Sequence, residues 1–186
     1  MKYLLLTITV VLIISSCSGG GSQHQAIEAV QYTSPVSQVT IKGDSMAAGG
    51  AGYTQTDYWS QWGLSVENDG VSGTTIEWQL NNPDHRQLQT LVLFMGHNSL
   101  VKESVQSAVN DYGLVMNGLT FTKLICVGIP YGTVISNADT DAFNAGVKLL
   151  CPHYVDTSDA LIQTIDGVHP DPSSYMIIGQ RIGVLL

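Results

Sequence analysis

Two nearly continuous apolar runs constrain the fold of this chain more than any other feature. They are Thr90–Met95 (TLVLFM) and Lys123–Ile129 (KLICVGI), and a turn residue closes each, Gly96 or Pro130. Short apolar runs of this kind suit strands that are covered on both faces, as in a parallel sheet. Between them, the apolar residues of Ser104–Leu119 recur with a helical period. Strand, helix and strand in this order predict a parallel βαβ unit.

Shorter segments continue this alternation on both sides. Further strands are predicted at Val39–Ile41, Leu64–Glu67 and Tyr154–Asp156, and further helices at Asp57–Trp62, Thr74–Leu80, Thr140–Leu150 and Tyr175–Leu186. Asp171 is predicted to cap the last helix, with Pro172 at its first position. Alternating strands and helices predict one doubly wound, parallel α/β domain. A hydrophobic content of 44% with 12% charged residues fits a globular chain.

The first 17 residues have the pattern of an export signal. Lys2 precedes an apolar run, Leu4–Ile14, which is short for a transmembrane helix and typical of a signal peptide. The run ends in Ile14-Ser15-Ser16-Cys17, which resembles a bacterial lipobox, although an ordinary secretory signal with an incidental cysteine is the alternative. The predicted organisation is a signal peptide at 1–16, a lipidated Cys17 with a flexible tether and lead-in at 17–38, and the α/β domain at 39–186.

The lipobox resemblance implies a bacterial cell-envelope location, anchored in the membrane through Cys17. Ser18 is not the acidic residue associated with inner-membrane retention, so outer-membrane sorting is expected. The net charge is −8 with no basic cluster, which argues against nucleic acid as a partner. An oxidising compartment permits a disulfide between Cys126 and Cys151. Because Cys126 sits in an apolar strand pattern, two free, buried or half-buried thiols are the favoured interpretation.

Polar residues follow the predicted strands at four places. Three such loops are Gly43–Ser45, Gly70–Gly73 and Gly96–Asn98, and a fourth, Asp166–His169, precedes the last helix. The carboxyl ends of parallel strands lie at one edge of the sheet, so these loops are expected to converge on one crevice. Taken alone, Ser45 is either a helix N-cap or a nucleophile.

The contents of the four loops suit acyl transfer. Ser45 can attack a carbonyl, His169 can take its proton, and Asp166 can orient the imidazole and stabilise its cation. The backbone amides of Ser45 and Gly73 and the side-chain amide of Asn98 can serve as oxyanion donors. Glycine at 73 suits this role, because a backbone donor close to a substrate oxygen leaves no room for a side chain.

The four loops resemble the sequence blocks of the SGNH, or GDSL-type, hydrolases: GDS, a glycine in an N-x-G-x-S-G-like turn, G-x-N, and D-x-x-H. The blocks occur here in the family's order across residues 43–170. The resemblance implies a flavodoxin-like α/β/α sandwich with a mainly parallel sheet of about five strands. It also implies ester hydrolysis with no metal or other cofactor. Met46 and Ser99 depart from the usual residues of the first and third blocks.

The expected function is therefore that of a lipid-anchored serine esterase acting on short acyl esters. A carbohydrate or peptidoglycan O-acetylesterase is the alternative within the enzyme class, with a small-molecule or glycan ester as substrate. A surface binding module with vestigial catalytic loops is the alternative of another class. Oligomeric state is left open by the sequence.

Several residues near the blocks have two interpretations. Asp44 is expected to be structural, accepting hydrogen bonds from nearby amides, whereas His97 is equally a substrate contact or a loop side chain. The aromatic residues between 53 and 62 either wall a sugar site or, as favoured, pack a helix on the sheet; they are Tyr53, Tyr58, Trp59 and Trp62.

Overall fold

The computed structural model describes residues 38–49 and 65–186. Three predictions lie outside the described residues: the signal peptide with Cys17 and its tether, the short helix at 57–62, and the packing of the aromatic residues near it. Within the described ranges, no helix is both long enough and apolar enough to span a bilayer.

Five strands form one sheet in the described part of the chain. They are β1 (Gln38–Gly43), β2 (Ser65–Gly70), β3 (Gln87–Phe94), β4 (Thr120–Val127) and β5 (Tyr154–Val155). Their order is β2-β1-β3-β4-β5, and every pairing is parallel. The predicted parallel α/β class is confirmed. Because the strand order reverses beside β1, a crevice is expected at the carboxyl ends of β1 and β3.

Strands β3 and β4 begin earlier than their apolar runs predicted. In both, the last four residues are buried, whereas most of the first four are exposed or half-buried. The pairing of Gln87 with Thr120 continues the ladder beyond the covered part of the sheet. The apolar runs therefore mark where the sheet is covered on both faces, and not where its strands begin.

Six helices are assigned within the described residues. They are α1 (Ser45–Ala48), α2 (Ile76–Asn81), α3 (His97–Leu100), α4 (Val105–Gly118), α5 (Asn137–Leu150) and α6 (Pro172–Gly183). Side chains at the caps of the longer helices accept bonds from the backbone N–H three residues on; the caps are Ser104, Ser136 and Asp171. The predicted cap at Asp171 is confirmed. The cap at Ser136 makes α5 begin one turn earlier than predicted.

Two short helices replace segments that were predicted as loops, and one of them settles the first interpretation of Ser45. Asp44 is the N-cap of α1, since its Oδ1 accepts a hydrogen bond from the Met46 N–H at 2.9 Å. The N-cap interpretation of Ser45 is therefore wrong, because Ser45 is the first helical residue. The short helix α3 begins at His97 with Gly96 as its N-cap.

Cys126 and Cys151 form a disulfide, with their Cα atoms 6.1 Å apart. The favoured interpretation of two free thiols is therefore wrong. Cys126 lies near the end of β4, and α5 returns the chain so that Cys151 stands just before β5. Because β5 pairs with β4 through Cys126 and Tyr154, the crossover brings the two sulfurs together. The apolar strand pattern around Cys126 was compatible with either a buried thiol or a buried disulfide.

Helices α4 and α5 cover part of the sheet with a pair of fully buried rings. Tyr112 and Phe143 meet edge to face, with ring centroids 6.1 Å apart. The Phe143 ring also lies directly against the turn after β3: a Cβ added at Gly96 would stand 2.4 Å from its Cζ. The core thus fixes the backbone of Gly96, whose φ is +136°.

Candidate active site

The predicted site residues lie at the carboxyl edge of the sheet. Ser45 follows β1, Gly73 follows β2, and Asn98 follows β3. The segment with Asp166 and His169 precedes α6 and is held beside the turn that follows β4, since the Thr133 N–H donates to the Gly167 carbonyl at 2.9 Å. Parallel pairing of these strands explains why residues far apart in sequence reach the same edge.

Ser45, His169 and Asp166 form a continuous hydrogen-bonded chain. The Oγ of Ser45 lies 2.9 Å from Nε2 of His169, and Nδ1 of His169 lies 2.6 Å from Oδ2 of Asp166. A carboxylate at Nδ1 favours the tautomer with its proton there, which leaves Nε2 free to accept the serine proton. The arrangement places a hydroxyl, a base and an orienting carboxylate in the relation that acyl transfer requires.

A tight turn holds Asp166 under the imidazole. Its Oδ1 accepts the backbone N–H groups of Val168 at 3.0 Å and of His169 at 2.7 Å. Gly167, between Asp166 and Val168, adopts φ +79°, a conformation that favours glycine. Desolvation raises the pKa of Asp166, but the hydrogen bonds from the backbone and ring of His169 outweigh it and hold the pKa at about 2. Asp166 therefore stays ionised wherever a histidine is neutral enough to act as a base.

Gly73 owes its presence to backbone conformation. Its φ is +80°, in the left-handed region. A Cβ added there would contact nothing within 4 Å. Backbone conformation therefore accounts for glycine here, and the expectation that a side chain would obstruct a substrate oxygen stays a prediction.

Asn98 is fixed beside the turn that carries Gly73. Its Nδ2 donates to the carbonyl of Thr74 at 2.9 Å. An amide nitrogen carries two protons, so one remains for another acceptor. Next to it, the buried hydroxyl of Ser99 accepts the Ile76 N–H at 2.9 Å and ties α3 to the start of α2. The serine at this position therefore organises the loop.

Hydrogen bonds that the sequence did not predict connect the turn before Ser45 to the turn after β2. The Gly43 carbonyl accepts the Val71 N–H at 2.9 Å and the Nε2 of Gln79 at 3.0 Å. Gln79 is buried on α2, three residues after the buried Ile76. That helical spacing was the available signal, since a polar residue on an apolar helix face needs a partner.

His97 is covered and not exposed in the loop, with 6% of its surface accessible. Burial lowers its pKa, and the nearby charge of His169 lowers it further, while Asp166 acts in the opposite direction. The ring is therefore near the predicted base. Both interpretations of His97 remain predictions.

One cavity in the described structure lies away from the candidate site. A cavity of about 370 Å³ between β5 and the end of α6 is lined by residues such as Tyr154, Arg181 and Val184, and by none of the predicted site residues. Residues 38–49 and 65–186 contain no cluster of three or more His, Cys, Asp or Glu side chains placed to hold a metal ion.

Solved structures share this fold. A member of the lipolytic G-D-S-L family from Veillonella parvula matches with a TM-score of 0.64 and 12% identity, covering 80% of this chain and 97% of its own. An acetyl esterase mutant with a bound acetate ion matches at 0.63 and 16%, covering 80% and 95%. A carbohydrate esterase of family 3 from Talaromyces cellulolyticus matches at 0.57 and 16%, covering 80% and 95%.

These likenesses establish the fold of the chain. It is the α/β fold of the SGNH, or GDSL-type, hydrolases, as the sequence blocks predicted. No family model and no curated protein sequence matches the chain. The likeness therefore rests on three-dimensional structure, together with the four blocks.

Proposed function

We propose that this chain is a carboxylic ester hydrolase that uses Ser45, His169 and Asp166 as a catalytic triad. The observation that carries the proposal is the continuous chain of contacts from Ser45 Oγ to His169 at 2.9 Å and on to Asp166 at 2.6 Å. Neighbours with this fold include lipolytic proteins and esterases, which supports ester hydrolysis as the reaction class.

The proposed reaction proceeds through an acyl-enzyme. Ser45 Oγ attacks the ester carbonyl carbon while its proton passes to Nε2 of His169, and the carbonyl oxygen becomes an oxyanion. Donors at Ser45, Gly73 and Asn98 stabilise that charge. The imidazolium gives its proton to the departing alcohol. Water, deprotonated by His169, then attacks the acyl-enzyme, releases the carboxylic acid and restores Ser45.

We infer that the acyl group is short. One neighbour is an acetyl esterase that holds acetate, and another is a carbohydrate esterase. The second supports a glycan O-acetylester as a specific substrate class for this chain.

The proposal is tested by hydrolysis of p-nitrophenyl acetate with wild-type protein and with Ser45→Ala. The variant should lose activity by at least about 10⁴-fold, since the nucleophile is absent. Ser107→Ala, an exchange on α4, is the matched control and should keep wild-type turnover. Equal activity of wild type and Ser45→Ala would remove Ser45 from the mechanism. In a series of acyl chains from acetyl to palmitoyl, a preference for the long chains would overturn the substrate assignment.

A fluorophosphonate probe separates the enzyme from a binding module with vestigial loops. Covalent labelling of wild type and not of Ser45→Ala supports an activated serine. Absence of labelling in folded wild-type protein supports the binding module.

We further propose that the protein is a bacterial lipoprotein of the cell envelope, held in the outer membrane through Cys17. The proposal is supported by the signal-like residues 1–16 and by the small residues immediately before Cys17.

A further inference from the structure

The carboxylate of Asp44 is buried between two turns of the candidate site. Only 1% of the residue is exposed. Its Oδ1 accepts the Met46 N–H at 2.9 Å, and its Oδ2 accepts the Gly96 N–H at 3.1 Å. The first bond stays within the turn that carries Ser45. The second joins Asp44 to Gly96, 52 positions later in the sequence, in the turn that carries Asn98.

The turn that contains Gly96 is held in place by the core. Gly96 has φ +136°, and a Cβ on it would stand 2.4 Å from the Phe143 ring. The Gly96 N–H is thus aimed at Asp44 by a backbone conformation that favours glycine and that the core supports.

We propose that Asp44 is a positioning residue, whose carboxylate fastens the turn of Ser45 to the turn of Asn98 and thereby keeps nucleophile and oxyanion donor at a fixed separation. The inference rests on the proposed function and assigns a further residue to the same site. Asp44 acts through its neighbours and does not touch the reacting atoms.

The need for two acceptors explains why a buried charge is present. Asparagine also caps helices well, so the bond to Met46 alone does not require a carboxylate. A carboxylate offers two acceptor oxygens, whereas an asparagine in the same place would present an NH₂ group to one of the two N–H donors. Only the ionised aspartate can satisfy Met46 and Gly96 together.

Neither of two titratable side chains near Asp44 opposes its ionised form. His169, in the segment before α6, lies close enough for its positive charge to favour ionised Asp44, and the backbone of His97 adds a hydrogen bond. Tyr112, from α4, faces Asp44 and is neutral, since burial raises its pKa. The negative charge of Asp44 should in turn favour the imidazolium that forms when Ser45 loses its proton.

The link between the turns should open in acid. Burial raises the pKa of Asp44 to about 6. Above that pH the carboxylate accepts both N–H groups. Below it, one oxygen carries a proton and one of the two links is lost. Activity should therefore fall as pH drops through about 6, in addition to any loss from protonation of His169.

The test compares Asp44→Asn with wild type on p-nitrophenyl acetate. We expect kcat to fall about 10- to 100-fold, as for a small misplacement of reacting groups, with KM changed less than about twofold. The acid limb of log kcat against pH should be steeper in wild type, where two protonations contribute, than in the variant, where only His169 remains. Asp111→Asn, on α4, is the matched control and should behave as wild type.

The outcomes distinguish this inference from the proposed function. If wild type is neither active nor labelled by the fluorophosphonate probe, the proposed function fails. If wild type is active and folded Asp44→Asn keeps both its kcat and its acid limb, the positioning role alone is overturned.

A second measurement covers the case in which Asp44→Asn does not fold. In His169→Ala, which lacks the imidazole charge that favours ionised Asp44, the amide NMR resonances of Met46 and Gly96 should shift together with one midpoint at or above about pH 6. Amide shifts that do not titrate in that range, or that titrate with unrelated midpoints, overturn the shared link.

Discussion

At the scale of single residues, Asn98 donates one hydrogen bond in the structure and is proposed to donate a second to the oxyanion. Its Nδ2 donates to Thr74 at 2.9 Å and retains a second proton for a substrate oxygen. Asn98→Ala should therefore lower kcat for p-nitrophenyl acetate by about 10²-fold, the usual effect of losing one oxyanion donor. Steady-state kinetics at saturating substrate measure it.

The control for Asn98 is Asn110→Ala, on the exposed side of α4, where the amide contacts only Gln106 among the described residues. It should keep wild-type kcat. Wild-type turnover by folded Asn98→Ala would exclude its amide from oxyanion stabilisation. A loss confined to KM would instead assign Asn98 to substrate binding.

The contact between Asp166 and His169 could be predicted from sequence because the turn that contains them is local. Its hydrogen bonds span two or three positions, and spacing alone suggests them. The bond from Gly96 to Asp44 could not be predicted in the same way, since it depends on β1 and β3 being neighbours in the sheet. The same holds for Gln79 and the Gly43 carbonyl.

At the scale of elements, the disulfide joins β4 to the end of α5. It closes the loop between Cys126 and Cys151, which lie 25 positions apart in sequence. Restricting that loop in the unfolded chain should stabilise the protein by roughly 3 kcal/mol. The double variant Cys126→Ala, Cys151→Ala should lose about that much free energy of unfolding, measured by urea denaturation.

The dependence of stability on reductant is the control for the disulfide prediction. Wild type should become less stable when dithiothreitol is added, and the double variant should not respond. Esterase activity of the folded variant should persist, because the disulfide joins β4 to the segment before β5, whereas Ser45, Gly73 and Asn98 follow β1, β2 and β3. Equal stability of wild type with and without dithiothreitol would contradict the prediction.

Strands could be predicted from the sequence where both of their faces are buried. The apolar residues of β3 and β4 revealed both strands, but their partly exposed first halves look polar in sequence. The sequence predicts that the second strand ends at Glu67, yet Asn68–Gly70 continue β2 because they pair with β1 up to Gly43. Backbone pairing at a sheet edge has little signature in side-chain polarity.

At the scale of the whole molecule, the alternation of strands and helices sufficed to predict a parallel α/β domain. The crossovers then dictate that polar turns meet at one edge. Strand order itself, β2-β1-β3-β4-β5, could be expected only through the family resemblance. The pairing of the two cysteines required that order, which explains why the free-thiol prediction failed.

The proposed lipid anchor predicts how the protein partitions between detergent and water. Wild type produced in a bacterial host should partition into the detergent phase, since two or more acyl chains hold a protein firmly to a bilayer. Cys17→Ala should move the protein to the aqueous phase and leave kcat unchanged. Mass spectrometry of the mature N-terminus checks the modification directly, and wild-type protein in the aqueous phase would contradict it.

The direction of β1 separates the start of this strand from the candidate nucleophile. The chain enters the sheet at Gln38 and leaves β1 at Gly43, two residues before Ser45. Six residues of strand span roughly 20 Å, so Gln38 and Ser45 lie at opposite rims of the sheet. The rim at which β1 begins is therefore remote from the proposed chemistry.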